Sequence, residues 1–213
     1  MIAVVDYGMG NLRSVEKAFA FLGHRVKVTG DPREVAAAEG VVLPGVGAFG
    51  DAVRELEERG LTGALMEVLE EDRPFLGICL GYQLLCGESE ESPGARGLGF
   101  LPGRVVRFGE GLKVPHMGWN DVHVLRPHPL LEGIEDGTFF YFVHSYYVLP
   151  DREEDILMRT EYGVSFASGA AVGKVAAFQF HPEKSSTAGL RILDNFARFC
   201  REGWPESGYP REW

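Results

Sequence analysis

Apolar runs and amphipathic segments alternate along the first half of the chain, which predicts strands and helices in turn. Residues 2–5 form an unbroken apolar run, the pattern of a strand that is covered on both faces. Residues 12–22 repeat apolar side chains at helical spacing and stop at Gly23. The alternation continues with predicted strands at 25–29, 41–43 and 75–78 and predicted helices at 51–69 and 80–86. We therefore predict an α/β fold in which a mostly parallel central sheet is flanked by helices.

The second half of the chain is richer in strands. The strand-like segments, some of them predicted to be antiparallel, are 105–108, 122–125, 139–143 and 172–180. A last helix is predicted at 188–200, and an irregular tail follows at 201–213. The sequence contains no internal repeat and no long linker, so residues 1–213 are predicted to form a single domain.

Composition and charge narrow the classes of function. Of the 213 residues, 45% are hydrophobic and 24% are charged, which is typical of a globular protein rather than a disordered or collagen-like one. The formal net charge is -10, from 31 acidic and 21 basic residues, so binding to nucleic acid is disfavoured. The apolar runs are too short for a transmembrane helix and the N-terminus has no basic leader. We therefore expect no membrane association and a cytoplasmic location.

The cysteines are sparse and odd in number. Cys79, Cys86 and Cys200 lack the paired spacing of a disulfide framework or of a structural zinc site. The sequence therefore predicts no metal site, and each cysteine is either a small buried residue or a nucleophile.

The sharpest motif is Gly-Ile-Cys-Leu-Gly at residues 77–81, where a predicted strand passes into a predicted helix. A nucleophile elbow has this form, a tight turn that pushes the nucleophile, here Cys79, outward. The glycines leave room for neighbouring backbone and for substrate, and the helix N-terminus favours a thiolate. The amide of Leu80 is suited to donate to a developing oxyanion. The alternative interpretation is a glycine-rich turn that holds a buried free cysteine.

A second motif, His-Pro-Glu at residues 181–183, directly follows a predicted strand. Residues two apart in extended chain point to the same side, so Glu183 can orient the His181 ring and stabilise its protonated form. Taken alone, the motif is also typical of an ordinary turn. Because the carboxyl ends of parallel strands share one edge of a sheet, Cys79 and His181 are expected to meet there. We therefore predict a Cys79–His181–Glu183 triad.

The Pro-Gly-Val-Gly loop at residues 44–47 also follows a predicted strand. Its glycines allow a backbone amide to face an oxyanion beside the thiol. A plain turn is the alternative. A phosphate-binding loop is disfavoured, because the lysine and hydroxyl of a P-loop are absent.

Together these motifs resemble those of the class I, triad-type glutamine amidotransferases. The resemblance rests on residues 77–85 (Gly-Ile-Cys-Leu-Gly-Tyr-Gln-Leu-Leu) and 178–185 (Phe-Gln-Phe-His-Pro-Glu-Lys-Ser). More narrowly, further segments resemble the glutaminase subunits of imidazole glycerol phosphate synthase, and these are residues 6–11, 43–49, 115–120 and 142–146. The resemblance spans about residues 1–200 and implies a flavodoxin-like class I glutamine amidotransferase fold.

The resemblance implies that the chain hydrolyses glutamine and uses no cofactor. Cys79 attacks the side-chain amide carbon of glutamine, His181 protonates the leaving nitrogen so that it departs as ammonia, and water then cleaves the γ-glutamyl thioester. The implied oxyanion donors lie at Gly45, Val46, Gly47 and Leu80. The residues implied to bind glutamine are Gln83, Glu91, His144, Ser145 and Tyr146. For Glu91, which belongs to the acidic run 88–91, a solvated loop is the alternative.

The resemblance also implies a partner, a (βα)8-barrel cyclase subunit in histidine biosynthesis. That subunit uses the ammonia to form imidazole glycerol phosphate and an aminoimidazole carboxamide ribotide. Direct delivery of ammonia to the cyclase subunit matters, because free ammonia is protonated at neutral pH and is then no longer a nucleophile. The residues implied to form the interface and the ammonia passage are Asn11, Trp119, Tyr141 and Lys184. From sequence alone, Trp119 and Tyr141 are also typical of core aromatics.

Val46 suggests how such a subunit would be regulated. Because it lies between two glycines, its peptide can rotate between a blocked and a donating oxyanion hole at low steric cost. We expect the subunit alone to be nearly inactive and the partner with its ligand to favour the donating form.

Other functions stay open from the sequence. One is another class I glutaminase, serving for example guanylate or pyridoxal phosphate synthesis. A second is a cysteine peptidase of flavodoxin-like fold, and a third is a non-catalytic module that only docks a barrel partner.

Overall fold

The computed structural model describes residues 1–204, and its elements follow one another in the order strand, helix, strand through the first half. The strands are β1 (Ile2–Val5), β2 (Val26–Thr29), β3 (Gly40–Gly45), β4 (Phe75–Cys79), β5 (Gly103–Arg107), β6 (His116–Asp121), β7 (His123–Val124), β8 (Phe139–His144), β9 (Tyr146–Pro150), β10 (Ile156–Glu161), β11 (Ser165–Val172) and β12 (Val175–Phe178). The helices are α1 (Leu12–Phe21), α2 (Pro32–Ala36), α3 (Phe49–Glu58), α4 (Leu61–Glu70), α5 (Leu80–Gln83) and α6 (Ser186–Glu202).

Eight strands form the central sheet in the order β2-β1-β3-β4-β12-β11-β10-β7. The first five of these are mutually parallel, whereas β11, β10 and β7 run antiparallel to their neighbours. Two small antiparallel sheets, β5 with β9 and β6 with β8, complete the second half. The predicted α/β fold, with a mostly parallel sheet and added antiparallel strands, is therefore confirmed.

Helices cover both faces of the sheet, and alternate residues of a strand pack into two separate hydrophobic cores. In β1, Ala3 and Val5 pack on the side of α2, α3, α4 and α5, whereas Ile2 and Val4 pack on the side of α1 and α6. This double burial explains why the strand reads as an unbroken apolar run. It also leaves the carboxyl ends of the parallel strands as the edge where functional groups can gather.

The single helix predicted at 51–69 is wrong, because the structure has two helices there. Helix α3 ends at Glu58, and α4 begins at Leu61. Gly60 between them adopts a left-handed conformation with φ of 67°, which stops one helix and allows the chain to turn into the next.

Two further predicted elements differ from the structure. The strand predicted at 172–180 is a hairpin, because β11 ends at Val172 and Gly173, with φ of 57°, turns the chain into β12. The helix predicted at 80–86 is shorter, since α5 ends at Gln83 and tighter turns follow it.

The last helix is longer than the predicted 188–200. Helix α6 runs from Ser186 to Glu202, so the first two residues of the predicted irregular tail are helical. The rest of that tail from 205 to 213 lies outside the described residues. None of the helices within residues 1–204 combines the length and the hydropathy of a membrane-spanning segment.

Candidate functional site

Cys79 lies at the junction of β4 and α5 in a strained backbone conformation. Its φ of 55° and ψ of -106° are unusual for a residue with a side chain. The neighbouring glycines make this turn possible, because a Cβ on Gly81 would collide with the Leu43 carbonyl oxygen of β3. A Cβ on Gly77 would lie 3.0 Å from both Ala177 Cβ and the Gly81 carbonyl oxygen. The geometry is that of a nucleophile elbow, as the motif predicts.

His181 follows β12, which pairs directly with β4 in parallel register. The two predicted reactive side chains therefore leave neighbouring strands at the same edge of the sheet. Nδ1 of His181 lies 2.9 Å from Oε1 of Glu183, and the two side chains are only 2% and 1% exposed. Because the carboxylate engages Nδ1, Nε2 of His181 is the ring nitrogen available to a reacting group, and it has no hydrogen-bond partner within residues 1–204.

Opposing influences act on the His181 imidazole. Burial lowers its pKa, but the Cys79 thiol and the Glu183 carboxylate beside the ring raise that pKa more, to about 10. The effect of the thiol requires the sulfur to lie close to the ring. Protonated His181 is therefore the favoured form of the ring at neutral pH.

One cavity of about 330 Å³ collects the predicted oxyanion and substrate residues around Cys79. The predicted residues that line it are Val46, Gly47, Cys79, Leu80, Gln83, Glu91, His144, Ser145 and Tyr146. Pro115 and Val143 also line it, although the sequence analysis did not single them out. The volume suits a small polar substrate such as an amino acid.

The loop predicted at 44–47 begins two residues later than expected, because β3 extends to Gly45, and this segment lies against the elbow. Gly45 is buried and pairs in register with Cys79, so the loop leaves β3 level with the nucleophile. A Cβ on Gly45 would collide with the Tyr7 hydroxyl and would lie 2.8 Å from Leu80 Cβ. Gly47 has φ of 101°, and Val46 is 40% exposed at the cavity. Sequence reasoning missed Tyr7, whose hydroxyl is fully buried beneath this loop.

Gln83 and Glu91 are held by contacts from distant segments. Nε2 of Gln83 donates to the Tyr146 carbonyl at 2.9 Å and to Oε1 of Gln179 at 3.2 Å. Oε2 of Glu91 accepts the N–H of Phe49 at 2.7 Å. Glu91 is thus anchored to the protein rather than part of a purely solvated loop, the alternative interpretation of its acidic run.

His144 belongs to a chain of buried hydrogen bonds that the sequence analysis did not predict. Its Nδ1 donates to the Tyr146 carbonyl at 2.8 Å, and its Nε2 lies 3.0 Å from Nδ1 of His116. Burial lowers the pKa of His116 to about 4 and that of His144 to about 3, with nearby His116 and His181 adding to the shift of His144. Both rings are therefore neutral at pH 7. In a neutral imidazole one ring nitrogen is a donor and the other is an acceptor.

Three of the four predicted interface residues form one surface cluster. Trp119 and Tyr141 pair across β6 and β8, with ring centroids 6.2 Å apart, and Nζ of Lys184 lies 6.0 Å from the Tyr141 ring centroid. Trp119 is 52% exposed, so its interpretation as a core aromatic is wrong. Asn11 immediately precedes α1.

The two remaining cysteines differ from Cys79. Burial raises the pKa of both Cys86 and Cys200 to about 12, with smaller contributions from nearby acidic groups, so neither forms a thiolate at neutral pH. Within residues 1–204, no group of three or more His, Cys, Asp and Glu side chains is arranged to hold a metal ion.

A nucleophile elbow beside a His–Glu pair on a parallel sheet defines a class of enzyme, and the sequence matches that class. A family model described as glutamine amidotransferase class-I matches residues 3–199, so the chain belongs to this family. A solved structure titled as a glutamine amidotransferase has a TM-score of 0.75 with 22% identity and covers 94% of this chain and 99% of its own. A putative GMP synthase subunit from Thermoplasma acidophilum has a TM-score of 0.72 with 21% identity, covering 94% of both chains, and at this identity the likeness concerns the fold alone.

Relatives of much higher identity indicate a particular group within this family. A protein of Moorella thermoacetica is 55% identical over 200 residues, which cover 94% of this chain and 95% of that protein. A protein of Methanothermobacter thermautotrophicus is 51% identical over 201 residues, which cover 94% of this chain and all 100% of that protein. Both are named imidazole glycerol phosphate synthase subunit HisH. The resemblance to the glutaminase subunits of this synthase, drawn from the sequence motifs, is thereby confirmed.

Proposed function

We propose that the chain hydrolyses glutamine to glutamate and ammonia with Cys79, His181 and Glu183, and passes the ammonia to a (βα)8-barrel cyclase subunit. The observation that carries the catalytic part is the pairing of β4 with β12, which brings the elbow cysteine and the buried His–Glu pair to one edge of the sheet. Relatives at 55% and 51% identity, named as subunits of imidazole glycerol phosphate synthase, support the choice of reaction and of pathway.

The reaction begins with attack of the Cys79 sulfur on the side-chain carbonyl carbon of glutamine. The carbonyl oxygen becomes an oxyanion, which the amide of Leu80 and an amide of the 45–47 loop stabilise. Protonated His181 then gives its Nε2 proton to the leaving nitrogen, and the C–N bond breaks to release ammonia. Water, deprotonated by the now neutral His181, attacks the thioester and frees glutamate and the thiol.

The remaining site residues hold the reactants. Glu183 fixes the His181 ring through Nδ1 and stabilises the imidazolium. Gln83 and Glu91 hold the amino-acid end of glutamine, since a carboxylate attracts the α-ammonium group. His144, Ser145 and Tyr146 also line the cavity.

The partner face is proposed at the exposed side of β6 and β8. Met117, Trp119 and Phe139 are large apolar side chains that are 62%, 52% and 57% exposed there, and clustered apolar exposure is typical of an interaction surface. Tyr141 links this face to the triad, because its carbonyl accepts the His181 N–H at 3.0 Å. Lys184 and Asn11 are proposed to contact the same partner.

Regulation is proposed to act through the 45–47 loop. The peptide at Val46 turns between a blocked and a donating orientation, and the partner with its ligand favours the second. Steady-state glutaminase rates of the chain alone, then with the partner, then with partner and ligand, test this proposal. Equal rates in all three states would refute it.

The decisive experiment for the function is labelling with a glutamine-analogue electrophile, followed by mapping of the modified cysteine. Modification of Cys79 is expected, because the pKa of Cys86 and of Cys200 is raised to about 12. A Cys79→Ala variant of the complex should lose turnover with glutamine and keep turnover with added ammonia. Survival of the glutamine reaction in that variant, or labelling at Cys200, would overturn the assignment.

A further inference from the structure

The side chain of Gln179 is completely buried between the nucleophile and the substrate cavity. Its Nε2 lies 3.7 Å from Sγ of Cys79, within range for the large sulfur atom, and its Oε1 accepts Nε2 of Gln83 at 3.2 Å. We propose that Gln179 is a further catalytic residue, which donates an N–H to the Cys79 sulfur and stabilises its thiolate form. This inference rests on the proposed function of Cys79.

The strand register explains why Gln179 reaches the sulfur. Phe178 of β12 pairs with Ile78 of β4, so Gln179 stands level with Cys79 on the neighbouring strand. Its own N–H is bonded to the Ser168 carbonyl of β11 at 2.9 Å, which fixes the backbone from the other side. The side chain is therefore held beside the nucleophile by strands on both sides.

The direction of each hydrogen bond follows from the Tyr146 carbonyl, which can only accept. Gln83 must turn its nitrogen toward this carbonyl, and the same nitrogen then faces Gln179. Gln179 must therefore present its oxygen to Gln83 and its NH2 group to Cys79. An amide flip of Gln179 would set two NH2 groups against each other, so the buried network excludes it.

Other groups around the Cys79 sulfur also favour either its thiol or its thiolate form. The Val143 carbonyl lies 3.9 Å from Sγ and favours the protonated thiol, because it accepts the S–H. His181, held by Glu183, favours the thiolate. Tyr7 stays neutral, because burial and the nearby Cys79 raise the pKa of its hydroxyl well above the ordinary value. The side-chain N–H of Gln179 is a neutral donor to the Cys79 sulfur. A hydrogen bond donated to a thiolate stabilises it and so lowers the pKa of the thiol.

The first test exploits the fact that Gln83 and Gln179 are the only two glutamines in the chain. Labelling with side-chain 15N-glutamine gives two NH2 signals, which a Gln179→Glu variant assigns. The pH dependence of Cys79 alkylation supplies the midpoint of the thiol titration. We expect the Gln179 NH2 signal to shift with that midpoint and to lose this shift in Cys79→Ala. A Gln179 signal that is indifferent to Cys79 would overturn the proposal.

The second test measures reactivity directly in the chain and its complex. Gln179→Glu keeps an oxygen for Gln83 but replaces the donor with an acceptor, and Gln179→Met removes both contacts. Each variant is expected to raise the midpoint of Cys79 alkylation by about one pH unit or more, and to lower kcat for glutamine more than it raises KM. Asn195→Leu is the matched control, because Asn195 is an equally buried amide whose bonds go to the Leu130 and Glu132 carbonyls.

The outcomes separate this inference from the proposed function. An unchanged alkylation midpoint in both Gln179 variants, or an equal shift in Asn195→Leu, would refute the role of Gln179 and leave the glutaminase proposal standing. Absence of glutaminase turnover in the unmodified complex would refute the proposed function, whatever the NMR titration shows.

Discussion

Oε2 of Glu91 accepts a hydrogen bond of 2.7 Å from the backbone N–H of Phe49, the first residue of α3. The next residue, Ser92, receives the N–H of Gly50 on its Oγ at 3.0 Å. Ala48 at the N-cap offers no side-chain oxygen, so these two distant residues cap the helix in its place. Because α3 begins directly after the 45–47 loop, the segment proposed to bind the ammonium group of glutamine also anchors that loop.

The two roles of Glu91 are separable by substitution. Glu91→Gln keeps an oxygen for Phe49 but loses the negative charge, so KM for glutamine should rise by roughly tenfold or more, with little change in stability. Glu91→Ala should raise KM and also lower the free energy of unfolding by about 1 kcal/mol, because the cap is lost. Steady-state kinetics of the complex and urea unfolding of the chain measure the two effects.

Ser92→Ala is the control for that pair of variants. It removes one cap of α3 without touching the proposed ammonium site, so stability should fall while KM stays within about twofold of the original value. A KM for Glu91→Gln equal to that of the unmodified protein would contradict the proposed role of Glu91 in binding glutamine.

The neutral His116–His144 pair makes the stability of the fold sensitive to mild acid. In the folded protein burial lowers the pKa of these rings from 6.5 to about 4 and about 3, so the unfolded chain takes up protons first as the pH falls. Their stabilisation is therefore present above pH 6.5 and is lost progressively as the pH falls toward 3. His128, with its pKa lowered to about 3 by burial and by Arg126, contributes a loss of the same sign.

Replacing one ring isolates the contribution of the pair. The free energy of unfolding of the unmodified protein falls between pH 7 and pH 5. In His116→Gln this fall should be smaller by about 1 to 2 kcal/mol. Denaturant unfolding at several pH values measures the fall in both proteins, and parallel curves for His116→Gln and the unmodified protein would refute the explanation.

The sequence predicted those elements whose local pattern agrees with their packing. The run at β1 and the strand-to-helix turn at Cys79 were found because double burial and glycine spacing leave a local signature. The helix boundary at Gly60 and the hairpin at Gly173 were missed, because a glycine inside a periodic pattern does not reveal whether its φ is positive. Tertiary packing decides that question.

In the candidate site, too, residues with a local sequence signature could be predicted, whereas those that depend on distant contacts could not. Cys79, His181 and Glu183 could be proposed from the sequence because each lies at or shortly after the end of a strand, at a known edge of such sheets. The sequence analysis did not single out Gln179, because its proposed role depends on contacts with residues such as Gln83, which is 96 residues away in the sequence. The contacts of Glu91 with Phe49 likewise depend on a distant segment and have no local pattern.

The Glu183 carboxylate should act mainly through the charge of His181. Glu183→Gln keeps the shape of the side chain but removes the negative charge, so the pKa of His181 falls from its raised value of about 10. With less imidazolium to protonate the leaving amide nitrogen, kcat for glutamine should drop by roughly 100-fold. Ammonia-dependent turnover of the complex should be unaffected, and a parallel loss of that turnover would indicate general damage instead.

Gly81 is expected to tolerate no side chain, since its space is taken by main chain. A Cβ there would collide with the Leu43 carbonyl oxygen of β3, a backbone atom that cannot rotate away. Gly81→Ala should therefore push α5 from β3, lower the free energy of unfolding by about 1 to 3 kcal/mol, and displace the Leu80 amide from the oxyanion position. Gly63→Ala is the matched control, because Gly63 lies inside α4 and no atom of residues 1–204 lies within 4 Å of an added Cβ. That variant should stabilise the fold by about 0.4 to 1 kcal/mol through the lower entropy of its unfolded chain. Thermal unfolding and glutaminase assays of both variants check the contrast, and equal stability of the two would contradict the proposed packing of the elbow against β3.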